Sequence, residues 1–228
     1  MRILYLYQYF SPPTRFGVGY TGVYEMSRRL VQAGHHVEVV TTRVDPDPDT
    51  PRGWYTTEEQ GIIVHWLALP YANEMGFRQR LQAFFGFALR SLPIAARLAR
   101  QADVIIAAST PLTIAIPAIY AQRRSARPLV FQVRDLWPEA PVQMGVLRNP
   151  ALIALARGLE AAAYRHATLI NALSPGMMEG VLRTERRAER VCMIPNGCDL
   201  ELFSPQTDGT PLRQQLGLQG KFVLAYFG

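Results

Sequence analysis

The chain has almost no lysine: Lys221 is the only one among 24 basic residues, and the rest are arginine. Against 18 acidic residues this leaves a formal net charge of +6. Such a balance points to anionic partners: nucleic acid, an anionic membrane face or phosphorylated substrates. No nucleic-acid recognition motif accompanies it. Cysteine is equally scarce. Cys192 and Cys198 flank Pro195-Asn196-Gly197, too few for a disulfide framework and without the partners of a zinc site, so both read as free thiols. No apolar run reaches the roughly 18 to 20 residues that span a bilayer. The first apolar run, Ile3 to Tyr7, is too short for a secretory signal. A cytoplasmic protein is expected, with the inner membrane surface open to it. Internal repeats and low-complexity segments are also lacking. What remains is ordinary globular composition, 49% hydrophobic and 18% charged, which argues against disorder and for a buried core.

Strand-like and helix-like segments alternate. Short apolar runs predict strands over 2–7, 36–41, 62–69, 104–107, 129–133, 169–173 and 191–194. Val23, Met26, Leu30 and Val31 recur at helical spacing, and Gly34 ends that helix. Further helices are expected over 76–100 (one helix, or a pair broken at Pro93), 113–124 with an interruption at Pro117, 151–165, 176–182 and 210–216. Residues 45–60 read as a Pro- and Asp-rich surface loop. The alternation implies crossover connections and an α/β, doubly wound, mainly parallel Rossmann-like sheet. Ligands of such sheets lie beyond the carboxyl ends of the strands, near the switch in strand order. The loops 8–22, 109–111, 134–139 and 174–176 are therefore the places to look. Near the end, Lys221 to Gly228 reads as a fresh buried strand. Residues 1–217 then form one domain, and 218–228 begin a truncated second one.

Five loop motifs and one helix carry candidate chemistry. In the long loop Gln8 to Gly22, Gly17, Gly19 and Gly22 fit a G-x-G-x-x-G spacing. Glycines there admit a ligand close to the backbone, and the helix that follows offers N–H groups to an anion. A dinucleotide site is disfavoured, because Pro12 and Pro13 lengthen the loop and Thr41-Thr42 stand where a ribose-binding acid belongs. After the fifth strand comes Val133-Arg-Asp-Leu-Trp-Pro-Glu139. Arg134 and Asp135 at a strand's carboxyl end are expensive to bury unless paired. With Glu139 they suit acceptor binding, Asp135 serving as hydroxyl partner or base; the plainer alternative is an Arg134–Asp135 ion pair that only shapes the loop. Ser109 and Thr110 either cap the next helix or touch a ligand. Ser174 reads as an N-cap with Pro175 at the first helical position, with a place beside a substrate as the alternative. Asn196-Gly197 is a turn, with Asp199 and Phe203 stitching its loop to the domain. In residues 76–90, Phe77, Leu81, Phe84, Phe85 and Leu89 can share a face, with Arg78 and Arg80 off it. That pattern fits a basic interfacial helix or a core-packed helix with a solvated basic face; exposed aromatics discriminate.

Taken in order, these motifs resemble glycosyltransferase family 4, of the GT-B fold, along the whole chain. The carriers are Arg2 to Pro13, Tyr24 to Thr42, Val133 to Glu139, Leu173 to Met177 and Ile194 to Asp199. The Arg134-Asp-Leu-Trp-Pro138 run resembles the branch that includes fucosamine transferases of surface-polysaccharide synthesis. The resemblance implies a retaining transfer from a nucleoside-diphosphate sugar to a glycan or lipid-linked acceptor. It implies an N-terminal, acceptor-side half of the fold, the nucleotide being held by a second domain, so that the isolated chain is nearly inactive. Asp135 and Glu139 would be the catalytic pair. Arg15, Gly17 and Gly19 would face the donor diphosphate, and Arg134, Ser109, Thr110 and Ser174 the acceptor. The resemblance implies no metal or other cofactor. A histidine that many members carry after the fifth strand is replaced here by Arg134-Asp135. Two other readings stay open at this stage: a non-catalytic module attached to the inner membrane through residues 76–90, and a dinucleotide-dependent oxidoreductase.

Overall fold

The computed structural model describes residues 1–12, 22–44, 49–72, 75–197, 200 and 204–225. The chain divides into two units, Met1–Pro195 and Asn196–Gly228. The first holds one eight-stranded sheet. Its elements in chain order are β1 (Arg2–Leu6), α1 (Gly22–Gln32), β2 (His36–Arg43), β3 (Trp54–Glu59), β4 (Ile62–Ala68), α2 (Phe77–Ala99) and β5 (Val104–Ala108), then a 3₁₀ turn (Leu112–Ile114). There follow α3 (Ala115–Ser125), β6 (Leu129–Val133), α4 (Glu139–Gln143), α5 (Pro150–His166), β7 (Leu169–Ala172), α6 (Pro175–Thr184) and β8 (Val191–Met193). The second unit carries α7 (Thr210–Gln215).

The strand order is β3-β4-β2-β1-β5-β6-β7-β8, and every pairing except β3–β4 is parallel. The order reverses between β1 and β5, which are direct neighbours. This is the switch point of a doubly wound sheet. Strand pleating sends alternate residues to opposite faces. In β1, Leu4 and Leu6 enter one core with Phe87 of α2, Ala118 of α3 and Tyr164 of α5. Ile3 and Tyr5 enter the other, with Val23 and Tyr24 of α1. Both faces are thus covered, as a parallel sheet requires.

The structure departs from the sequence reading at several elements: α4 was not expected, and Pro117 does not interrupt α3, which runs unbroken from Ala115 to Ser125. Residues 54–59 form an edge strand rather than loop, paired antiparallel to β4 through Glu59↔Ile62. The two residues between, Gln60 (φ 53) and Gly61 (φ 81), both have positive φ, the requirement of the tight hairpin turn whose twist suits its strands. The prolines at 48 and 51 hide this strand in the sequence, although Trp54-Tyr-Thr-Thr57 is rich in strand formers. Of the two readings of residues 76–100 the single helix holds: α2 runs unbroken for 23 residues through Pro93, which lies on its exposed side. Residues 221–225 form no strand, and Phe222 is 94% exposed. A strand needs a ladder partner, and no described strand pairs with this segment.

Candidate functional site

The parallel register brings the carboxyl ends of β1, β5, β6 and β7 to one edge. Leu6 lies opposite Ala107, Ala108 opposite Gln132, and Val133 opposite Ala172. Tyr7, Ser109, Arg134 and Ser174 therefore leave the sheet on the same side.

Beneath that edge the three central strands are tied by polar bonds. Tyr5 donates its hydroxyl to Gln132 Oε1 at 2.8 Å in the core, and burial pushes its pKa upward. The Ser109 amide donates to the Gln132 carbonyl at 2.9 Å. Ser109 is buried, and its Oγ accepts the Arg134 amide at 3.0 Å. This replaces the helix-capping role expected of Ser109. The residue preceding the 3₁₀ turn is Pro111, with no side-chain cap. Thr110 does not cap either: its hydroxyl donates to Asp135 Oδ2. Thr110 has φ +111, a conformation that β-branched residues rarely adopt and that concentrates at functional sites.

Arg134 and Asp135 do not close on each other. The Arg134 guanidinium sits over the Tyr7 ring, 5.5 Å from its centroid, while Asp135 is exposed and takes the Thr110 hydroxyl. Among the described residues no ion pair engages either charge. Burial raises the Tyr7 pKa, with Arg134 lowering it and Asp135 raising it. The hydroxyl thus stays protonated, as a donor.

The chain leaving β1 is pinned by residues that sequence reasoning valued only as a missing acid. Thr41 and Thr42 both donate their hydroxyls to the Gln8 carbonyl, at 3.0 and 2.6 Å. Thr41 Oγ1 also accepts the Phe10 amide at 3.1 Å. These hydroxyls hold the departing loop, so they are spent on backbone rather than on a ribose. Gln8 is buried, and its Oε1 has no partner. Arg15, Gly17 and Gly19 lie outside the described residues, as do Cys198, Asp199 and Phe203. Cys192 is a free thiol.

Ser174 caps α6, accepting the Met177 amide at 3.3 Å, with Pro175 opening the helix. Glu139 follows in the same loop. It starts α4, lies 3.6 Å from Arg183 of α6, and accepts from Gln143 at 2.9 Å. These groups line a cleft of about 550 Å³ with Arg157 and Glu160 of α5. Burial pushes Glu160 up to about 7, despite a hydrogen bond from Tyr164. Gly180, also in the lining, packs closely against Leu136. A Cβ there would lie 2.5 Å from Leu136 Cδ1, so any larger residue displaces the neighbour of Asp135.

The edge thus presents an open carboxylate, a guanidinium and hydroxyl groups at the ends of neighbouring strands. Such a set can orient a hydroxyl and neutralise developing charge. Among the described residues no group of three His, Cys, Asp or Glu gathers as a metal site would require.

Residues 19–197 match the family model of a glycosyl transferase 4-like domain. No curated protein sequence matches the chain. Among solved structures, the fold is shared with Anabaena HepE in complex with UDP-glucose, at TM-score 0.56 and 19% identity, over 96% of this chain and 50% of that one. It is shared with sucrose-phosphate synthase from Thermosynechococcus elongatus, at TM-score 0.56 and 16% identity, over 95% of this chain and 99% of that one. The trehalose-6-phosphate synthase OtsA gives TM-score 0.57 and 14% identity, over 95% and 55%. The chain spans about half the length of the HepE chain it matches.

Proposed function

The chain belongs to the glycosyl transferase 4-like domain family, and on that premise we propose that it forms the acceptor-side wall of a retaining sugar-transfer crevice. The donor is a nucleoside-diphosphate sugar, a reading supported by the UDP-glucose held by HepE. The second wall, which holds the nucleotide, belongs to a further domain that begins near residue 218; the double length of HepE supports this division. The acceptor is a glycan of surface-polysaccharide synthesis, carried on lipid at the inner membrane face.

The observation that carries the reading is the open pair Arg134 and Asp135 at the switch edge, each held from below and free above. Asp135 accepts the hydrogen bond of the attacking acceptor hydroxyl and draws off its proton as the glycosidic bond forms. The sugar's bond to the diphosphate breaks on the same face, and the nucleoside diphosphate leaves. Its negative charge is met by backbone N–H groups at Gly17 and Gly19, with Arg15, and by the Arg134 guanidinium. Ser109 fixes the Arg134 backbone, and Thr110 fixes the rotamer of Asp135. Glu139, with Arg183 in the neighbouring cleft, orients the acceptor beyond its reacting sugar. Ser174 borders that path. No step calls for a metal or other cofactor.

A panel of UDP-, GDP- and dTDP-sugars, offered to the full-length protein with a lipid-linked acceptor, tests this. Release of one nucleoside diphosphate is expected, with negligible turnover by residues 1–228 alone. Robust turnover by those residues would refute the two-wall account. NADH binding detected by fluorescence titration would favour the oxidoreductase reading, which the engaged hydroxyls of Thr41 and Thr42 oppose.

A further inference from the structure

Helix α2 has a face that the sheet does not use. Its 23 residues contain no Asp or Glu but include Arg78, Arg80, Arg90 and Arg97. Ala83, Phe87, Ala95 and Leu98 are buried, and Phe87, Ala95 and Leu98 pack into the core on this side of the sheet. Phe84, expected on the outer stripe, instead stacks on Tyr71 at 5.8 Å. The opposite side keeps Phe85 39% and Leu89 56% exposed. These two lie one turn apart, so they form a continuous apolar ridge with half-buried Leu92 three residues on. Arg78, Arg90 and Arg97 are exposed beside it.

An isolated exposed apolar residue needs no explanation, but an aromatic and aliphatic ridge on a helix that carries four arginines and no acid has a specific chemistry. The apolar side chains enter the boundary between headgroups and acyl chains, and the guanidiniums meet lipid phosphates. A protein partner with an acidic groove would require carboxylates matched one by one to these arginines; a lipid surface requires only density of negative charge. The helix is not long and apolar enough to cross a membrane. Its direction also matters. A crossover helix runs back along the strands, so the N-terminal half of α2, which carries Phe85, lies toward the carboxyl edge of the sheet.

We propose that the Phe85–Leu89 ridge and its flanking arginines dock this domain on an anionic lipid surface, holding the Asp135 edge near the headgroups. The proposal deepens the lipid-linked acceptor named above and rests on that reading for its purpose, but not for its test. The chain is sedimented with vesicles of phosphatidylcholine and phosphatidylglycerol, and with vesicles of phosphatidylcholine alone. Binding to the anionic vesicles is expected, falling steeply with added salt. The F85S/L89S double variant should reduce the partition coefficient roughly tenfold or more. The R78E/R90E variant should abolish binding. Both sets of side chains are exposed, and thermal melts of the variants should match the parent. Absence of binding to the anionic vesicles overturns the proposal, as does equal binding to both vesicle types or by the variants. Sugar transfer from soluble donor to soluble acceptor is unaffected by that failure, so the two readings fall separately.

Discussion

The sheet carries two polar clusters with opposite endings. On β2, Glu38 is closed: His65 Nε2 lies 2.9 Å from one carboxylate oxygen, and His36 Nε2 lies 3.2 Å from the other, with Arg2 at 3.6 Å. His65 is held in turn by Thr56 at 3.0 Å. At the carboxyl edge, Asp135 takes one hydroxyl, and Arg134 rests on a ring. Both clusters place charge at the sheet, but in the first each charge is consumed by its neighbours. In the second, the bonds go into backbone and rotamer placement, and the charges face outward. A saturated cluster is spent on stability; an open one at the carboxyl edge is what the proposed binding role requires.

That contrast can be broken most sharply at Arg134. Arg134→Leu should lower the rate of sugar transfer roughly a hundredfold, the order seen when a charge-stabilising donor is removed, with little change in thermal midpoint. A kinetic assay beside a melt separates the two. Glu38→Gln should do the reverse. It removes charge-assisted bonds from a half-buried site and should cost about 1–3 kcal/mol in denaturant unfolding, leaving transfer per folded molecule intact.

The pH dependence sharpens the comparison further. His65, then His36, hold Glu38 down from 4.5 to about 2. A lowered folded pKa stabilises above the unfolded value, so that contribution is lost as pH falls from 4.5 through 2, and Glu38→Gln should lack this loss. Glu160 runs the other way, raised by burial from 4.5 to about 7. Its contribution is present below 4.5 and lost as pH rises through 7, so Glu160→Gln should flatten stability across that window. Unfolding titrations at several pH values read both.

Much of this was legible in the residues. The parallel strands were marked by apolar runs such as Val104 to Ala107 and Leu129 to Val133, which a sheet covered on both faces demands. Ser174 announced its cap through the proline that follows it. β3 was hidden because its neighbouring prolines and acidic residues resemble a loop. Partnerships across strands were hidden for another reason. Thr110 meets Asp135 across 25 residues of chain, and Tyr5 meets Gln132 across 127. Local patterning carries no such pairing; only register brings the residues together. Gln132, a polar residue inside the apolar run Leu-Val-Phe-Gln-Val, was the one available signal. Glu139 was read with Asp135 because the two are near in sequence; its contact with Arg183, 44 residues on, could be seen only in the fold.

The most direct test is the transfer rate of full-length Asp135→Asn measured against Glu38→Gln. The account predicts that the first loses roughly a hundredfold or more in turnover while melting like the parent, and that the second melts lower yet turns over normally. Normal turnover by Asp135→Asn would contradict it.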